Sequence, residues 1–352
     1  MDRPTATINA IGTAVPDHDV HAAFIGWAER RLADPRKRAL FRRMAERSGI
    51  AHRWSVLPTA AHGGSPVEVS GFYADAILPS TAARMHVYAQ AAPALALAAI
   101  GRLGPLGRIT HLVVASCTGF VAPGIDQILA AALGLDGGVE RTLVGFMGCY
   151  AAVAALRAAH HIVRSEPAAR VLVVTVELST LHLQPDDTLE PLLAMLQFGD
   201  GAAAAIVSAD PHGLAIDGMF AATLPDSADL IRWRIGDQGF AMHLSGEVPG
   251  RIAAALRDPA FTAGLFGPPQ AVDAWAVHAG GRSILDAVEG TLALDGQALA
   301  PSRRVLADYG NMSSATLMFV LAGLIGRPVA NGVAVAFGPG LAAEGFRFRS
   351  VP

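Results

Sequence analysis

Five short apolar runs limit what this chain can become: THLVVAS at 110–116, RVLVVTVE at 170–177, AAAAIVS at 202–208, DAWAVH at 273–278 and NGVAVAFG at 331–338. They are apolar at nearly every position rather than at alternate ones, and rich in Val and Ala. That is how strands covered on both faces read. Between them lie Ala-rich segments of helical period, including 80–101, the run that follows Cys149, RIAAALRD and RSILDAVEGTLAL. Strands alternating with such helices make an α/β fold, with helices on both faces of the sheet. The alternation runs through the chain twice, with a change of pattern near Asp210–Gly213. Two halves are therefore expected, 1–212 and 213–352, although no repeat is visible at the level of residues.

The chain is 352 residues long, 52% hydrophobic and 16% charged. That balance gives a large core and apolar surface to spare for a second copy. Two cysteines, Cys117 and Cys149, are too few for a disulfide framework or a cysteine-based zinc site, and no metal is expected. A net charge of −3 gives no general attraction to nucleic acid. The single lysine, Lys37, lies in an exposed basic run, which argues against Schiff-base chemistry. No apolar stretch is long enough to span a membrane. The first residues lack a charged lead followed by an apolar core, so the expected location is cytoplasmic.

Three polar residues stand at junctions between strand-like and helix-like segments. Cys149 follows Gly-Phe-Met-Gly and opens a helix, a position whose unpaired N–H groups favour a thiolate. Its thiol is expected to titrate below the free value of about 8.5. His278 ends a strand and can act as base or cationic partner, while Asn311 precedes a buried helix and can donate to an oxygen that gains charge. Each also has a plainer use, as a buried small side chain, a core histidine and a helix cap respectively. Cys117 and Thr118 close the first strand, and Ser179 and His182 follow the second in a polar loop. Residues 19–53 read as helical and carry a basic cluster that includes Arg43 and Arg47, either a solvated face or a phosphate-binding one. Residues 57–80, rich in Gly and Pro, read as a surface connection.

GFMGCYAAVAALR, QFGDGAAAAIV, VHAGGRSILDAVE, YGNMSSAT and AFGPGL, in this order, closely resemble the chalcone synthase family, the type III polyketide synthases. The resemblance covers essentially the whole chain. It implies the five-layered thiolase-like αβαβα fold of two duplicated halves, a homodimer, and no cofactor beyond CoA thioesters as substrates. By position, Cys149 matches the acyl-carrying nucleophile, and His278 and Asn311 match the pair that polarises the malonyl-CoA carbonyl. Phe198 and Met242 fall at the two gatekeeping positions, Met242 where a Phe is common. Cys117, Thr118, Ser179, His182, Ser313, Phe337, Gly338 and Pro339 fall on the cavity wall. Arg43, Arg47, Gly280 and Gly281 fall where CoA is held, with Leu40 replacing a third cation. Cys117 stands where plant members have threonine, Ala122 where a methionine reaches the partner's cavity, and HAGGR where they have HPGGP.

The leading expectation is iterative condensation of malonyl-CoA onto a fatty acyl-CoA starter, closing to an alkylpyrone or alkylresorcinol. A malonyl-CoA-only synthase of a polyhydroxylated aromatic such as tetrahydroxynaphthalene is the alternative. Less favoured are an initiating ketoacyl-ACP synthase, which would carry an HQAN-like segment in place of HAGG, and a non-catalytic acyl-CoA binding protein, which need not keep all three junction residues.

Overall fold

The structure, a computed structural model, describes residues 4–59, 65–74 and 77–352. The first half holds β1 (Thr7–Ala14), β2 (His18–Asp19), α1 (His21–Arg31), α2 (Pro35–Glu46), β3 (Trp54–Ser55), α3 (Thr81–Ile100), β4 (His111–Ser116), α4 (Ile125–Ala132), β5 (Glu140–Gly145), α5 (Ala151–Ser165), β6 (Val171–Leu178), α6 (Leu189–Met195) and β7 (Asp200–Ser208). The second holds β8 (Gly213–Thr223), β9 (Ile231–Gly236), β10 (Gly239–Leu244), α7 (Val248–Leu256), α8 (Pro259–Phe266), β11 (Ala274–Val277), α9 (Arg282–Thr291), α10 (Ala300–Tyr309), α11 (Ser314–Ala322), β12 (Gly332–Gly338) and β13 (Ala342–Val351).

Nine strands form one sheet in the order β11-β12-β13-β8-β1-β7-β6-β4-β5. The duplication expected from the sequence pattern is visible in this order. β4-β6-β7-β1 and β11-β12-β13-β8 are the same four-strand unit, parallel at the first pairing and antiparallel at the next two. Thr7 and Ile8 pair with β7 on one side and β8 on the other, which joins the units.

Strand alternation sorts side chains into layers. Val173 of β6 and Ala334 of β12 point to a central cluster built around α5 and α11. Their neighbours face outward: Leu172 and Val174 toward α3, Val333 and Val335 toward α7 and α9. The result is helix, sheet, helix, sheet, helix. Fully buried alanines on α5, such as Ala152, Ala155 and Ala159, let the central helices approach each other and both units.

Two expectations need correction. Residues 19–53 do not form one helix, because the chain breaks at Leu32–Asp34, where Pro35 starts α2 and the Asp34 side chain accepts from the Arg36 N–H. The connection 57–80 lies partly outside the described residues. Its described part is not simply surface, since Leu57, Tyr73 and Leu78 are buried and the Tyr73 hydroxyl donates to the Thr180 carbonyl. After Gly213, where the pattern changes, the chain forms one long strand, β8, and then a hairpin of β9 with β10.

Candidate active site

The duplication brings the junction residues together. α5 and α11 start at the same end of the central layer, the carboxyl end of the parallel strands, with Cys149 just before α5 and Asn311 and Ser313 just before α11. β4 and β11, equivalent strands, end beside them in Cys117 and His278.

The turn carrying Cys149 depends on its glycine. Phe146 and Gly148 both have positive φ, 58° and 73°, and a Cβ on Gly148 would meet the Pro339 ring. Only glycine satisfies both the backbone and the space. The Gly148 N–H donates to the Cys117 sulfur at 2.9 Å, stitching the two thiol-bearing turns together. On the α11 side Ser313 also has positive φ, 49°, and its N–H donates to Asn311 Oδ1 at 2.8 Å. Asn311 Nδ2 donates to the Gly280 carbonyl at 3.2 Å, which ties α11 to the turn that follows His278. One N–H of this amide is thereby used and one remains.

His278 is 1% exposed, and neither ring nitrogen has a hydrogen-bond partner among the described residues. The ring lies against Gly280, where a Cβ would come within 3.2 Å of it. Burial holds the imidazole neutral by lowering its pKa to about 3. Burial also pushes the Cys149 thiol up to about 12, against the downward pull of the Ser313 and Asn311 side chains. This overturns the expectation of a lowered thiol. Desolvation of a lone thiolate outweighs the pull of the helix end, so the resting thiol is neutral.

The Cys149 cavity is about 390 Å³, walled by Cys117, Thr118, Phe146, Ser313 and Pro339. Trp233, Phe198 and Met242 line it and also line a second chamber of about 370 Å³ on their other side. Ser179 and His182 lie on that second chamber rather than on the first. His182 is locked, donating to the Thr118 carbonyl at 2.7 Å and accepting from the Phe240 N–H at 3.0 Å, with its ring stacked on Phe240. Gly338 sits against Tyr150 and the Cys149 backbone. Phe337 does not line the Cys149 cavity. Strand alternation turns it into the outer core with Val333 and Val335. Arg43 and Arg47 are exposed on and just after α2, and Arg282 donates to the Arg47 carbonyl at 3.1 Å, bringing that helix to the Gly280–Gly281 turn.

Residues not singled out from the sequence also build the site. Glu177, at 0% exposure, accepts from the Cys117 N–H at 3.0 Å, the Thr118 hydroxyl at 2.9 Å and the Ser314 hydroxyl, bridging β4, β6 and α11. Burial raises its pKa to about 7. Trp233, Phe240 and Phe146 form an aromatic partition whose members, read singly, pass for strand residues. Among the described residues one group could hold a cation, His111 with Glu140 and Glu166. It lies at the opposite end of β4 from Cys117.

Residues 1–211 match the family model for chalcone and stilbene synthases, N-terminal domain, and residues 217–352 the model for the C-terminal domain. Among solved structures, the chain is similar to the C-terminal type III polyketide synthase domain of Steely1, a type I/III hybrid from Dictyostelium. The match has 26% identity and a TM-score of 0.87 over 99% of this chain and 100% of that one. PKS-I from the brown alga Ectocarpus siliculosus matches at 29% identity and a TM-score of 0.87, over 100% of both chains. With a thiol, an imidazole and an amide gathered at one end of a duplicated αβαβα fold, the chain belongs to the chalcone and stilbene synthase family of type III polyketide synthases, which are acyltransferases.

Proposed function

We propose that this enzyme loads an acyl-CoA starter of fatty acyl type on Cys149, extends it by decarboxylative Claisen condensation with malonyl-CoA, and releases an alkylpyrone or alkylresorcinol. The observation that carries the starter class is the second chamber, a largely apolar space across Trp233, Phe198 and Met242 from the nucleophile. A synthase primed by malonyl-CoA alone has no acyl arm to put there.

In loading, the Cys149 proton passes to His278, the sulfur attacks the thioester carbonyl, and CoA leaves as its thiol with that proton. Malonyl-CoA then loses carbon dioxide. Its thioester oxygen takes hydrogen bonds from the neutral His278 and the free N–H of Asn311, so the electron pair is held as an enolate. The enolate carbon attacks the acyl group on Cys149 and displaces the sulfur. Arg43 and Arg47 bind the CoA phosphates, and Gly280 and Gly281 allow the pantetheine arm to pass close to backbone.

The working form is a homodimer. β5 is an edge strand, Leu143 on it is 49% exposed, and Phe120, 47% exposed, packs on Phe146 and Phe240 at the rim of the site. Exposed apolar surface on an unpaired edge fits a second copy.

The test is incubation with malonyl-CoA and acyl-CoA starters of graded length, with products read by mass spectrometry. Long-chain starters yield triketide or tetraketide products, Cys149→Ala yields none, and His278→Ala and Asn311→Ala lose malonyl-CoA decarboxylation. Product from the Cys149→Ala protein, or none from the wild type with any starter, refutes the proposal.

A further inference from the structure

A second group of ligating side chains gathers at the other end of β4 from Cys117. His111, 6% exposed, opens β4, Glu140 opens β5, and Glu166 follows the last residue of α5. His111 Nε2 stands 3.7 Å from Glu140 Oε2 and 4.0 Å from Glu166 Oε2, and the three ligand atoms all lie within 4.8 Å of one another. Both distances are too long for a hydrogen bond. The nitrogen of a buried ring is therefore aimed at two carboxylates without bonding to either. Among the described residues no Arg or Lys pairs with Glu140 or Glu166. The surrounding hydrogen bonds assign the ring proton. Thr110 Oγ1 accepts from the Arg170 N–H at 2.9 Å and directs its own proton to the Arg170 carbonyl at 3.2 Å. Its remaining lone pair faces His111 Nδ1 at 2.9 Å and takes the proton there. Nε2 is left as a lone pair pointed at two anionic oxygens, an arrangement that repels itself unless a positive charge sits between them. A hydroxyl fixing one ring nitrogen while the other faces carboxylates is the outer support of a metal-ligating histidine.

We propose that His111, Glu140 and Glu166 bind a divalent transition-metal cation of the zinc class. One imidazole with two carboxylates suits zinc better than magnesium or calcium, which take oxygen ligands. Zinc holds its nitrogen and oxygen ligands at about 2.0–2.2 Å, so the group must draw in, and the two exposed Glu side chains can rotate to do so. Three protein ligands leave a fourth position for water. The cysteine count excludes sulfur-based sites alone, and this one uses no sulfur. Its position gives it a consequence for the fold. β5, the turn bearing Cys149 and α5 follow one another along the chain, and Glu140 and Glu166 stand at the two outer ends of that unit. A cation there fastens the base of the unit to the start of β4.

The experiment is calorimetric titration of the full-length protein, stripped beforehand with EDTA, with zinc chloride, alongside thermal unfolding with and without zinc. The wild type binds zinc at one tight site per chain, and an equal concentration of magnesium does not displace it. Its Tm rises by several degrees, because an ion that binds the folded form alone stabilises it. Glu140→Gln and Glu166→Gln, both at exposed positions, keep the fold, weaken zinc at least tenfold and remove the Tm shift. Absence of a tight site in the wild type, binding unaltered in either variant, or displacement by equal magnesium overturns the proposal. None of these readouts involves turnover, so the result stands or falls apart from the polyketide reading.

Discussion

Glu177→Gln should change how stability depends on pH, and the size of the change follows from where the carboxyl sits. It is fully buried, and burial lifts its pKa from 4.5 to about 7 despite hydrogen bonds from Cys117, Thr118 and Ser314 that favour the charged form. Between those two values the unfolded chain has released its proton while the folded chain still holds one. Stability therefore falls as pH rises, by up to about 1.4 kcal/mol per pH unit. Over the whole window the loss is about 3 kcal/mol, fully absent below pH 4.5 and complete above about 7. Gln keeps the shape, accepts from Cys117 and Thr118 with its oxygen, and cannot ionise. The assay is urea unfolding followed by circular dichroism at pH 5 to 8, comparing wild type with Glu177→Gln. The stability difference between them should shift by about 2–3 kcal/mol across that range in favour of the variant. Asp200, whose carboxyl burial also raises, to about 6, is present in both proteins and cancels. A difference that stays constant within about 1 kcal/mol would show that the carboxyl is not held protonated by burial.

Gly148→Ala should leave a folded protein that no longer acylates. A Cβ there meets the Pro339 ring at a positive φ, so the turn that aims Cys149 must move; trapping of a radiolabelled starter measures the loss. Arg43→Ala and Arg47→Ala, both at exposed positions, should raise KM for malonyl-CoA several-fold with little change in kcat, because phosphate contacts bind ground and transition states alike. An equal fall in kcat would place those residues elsewhere in the reaction.

Much of the fold could be read from the sequence, because the apolar runs that form β4, β6, β11 and β12 are buried on both faces and advertise it at every position. Cys149, His278 and Asn311 stand out because each lies at a glycine-marked turn between apolar segments, the signature of a junction. The protonation state of the thiol departs from what the helix end alone implies for a physical reason. The helix end is a local feature and legible, whereas the burial that outweighs it comes from both halves at once. Glu177 was passed over as the end of a strand, since its partner Ser314 is 137 residues away. Nothing local to Trp233 marks it as the wall between two chambers. The break before α2 is legible locally, since Asp34-Pro35 is a helix start.

The strand that joins the two units is made long before either of its neighbours. β1 pairs only with β7 and β8, Thr7 with Ser208 and with Ala215, so its partners are about 200 residues downstream. At a synthesis rate of 5–20 residues per second, TINAIGTA emerges and waits on the order of 10–40 s before either neighbour exists. During that interval the most central strand of the finished sheet stands without either of its hydrogen-bonding neighbours. The sheet therefore cannot join at its centre until both halves have begun to emerge, and yield in a cell should depend on what shields those eight residues meanwhile.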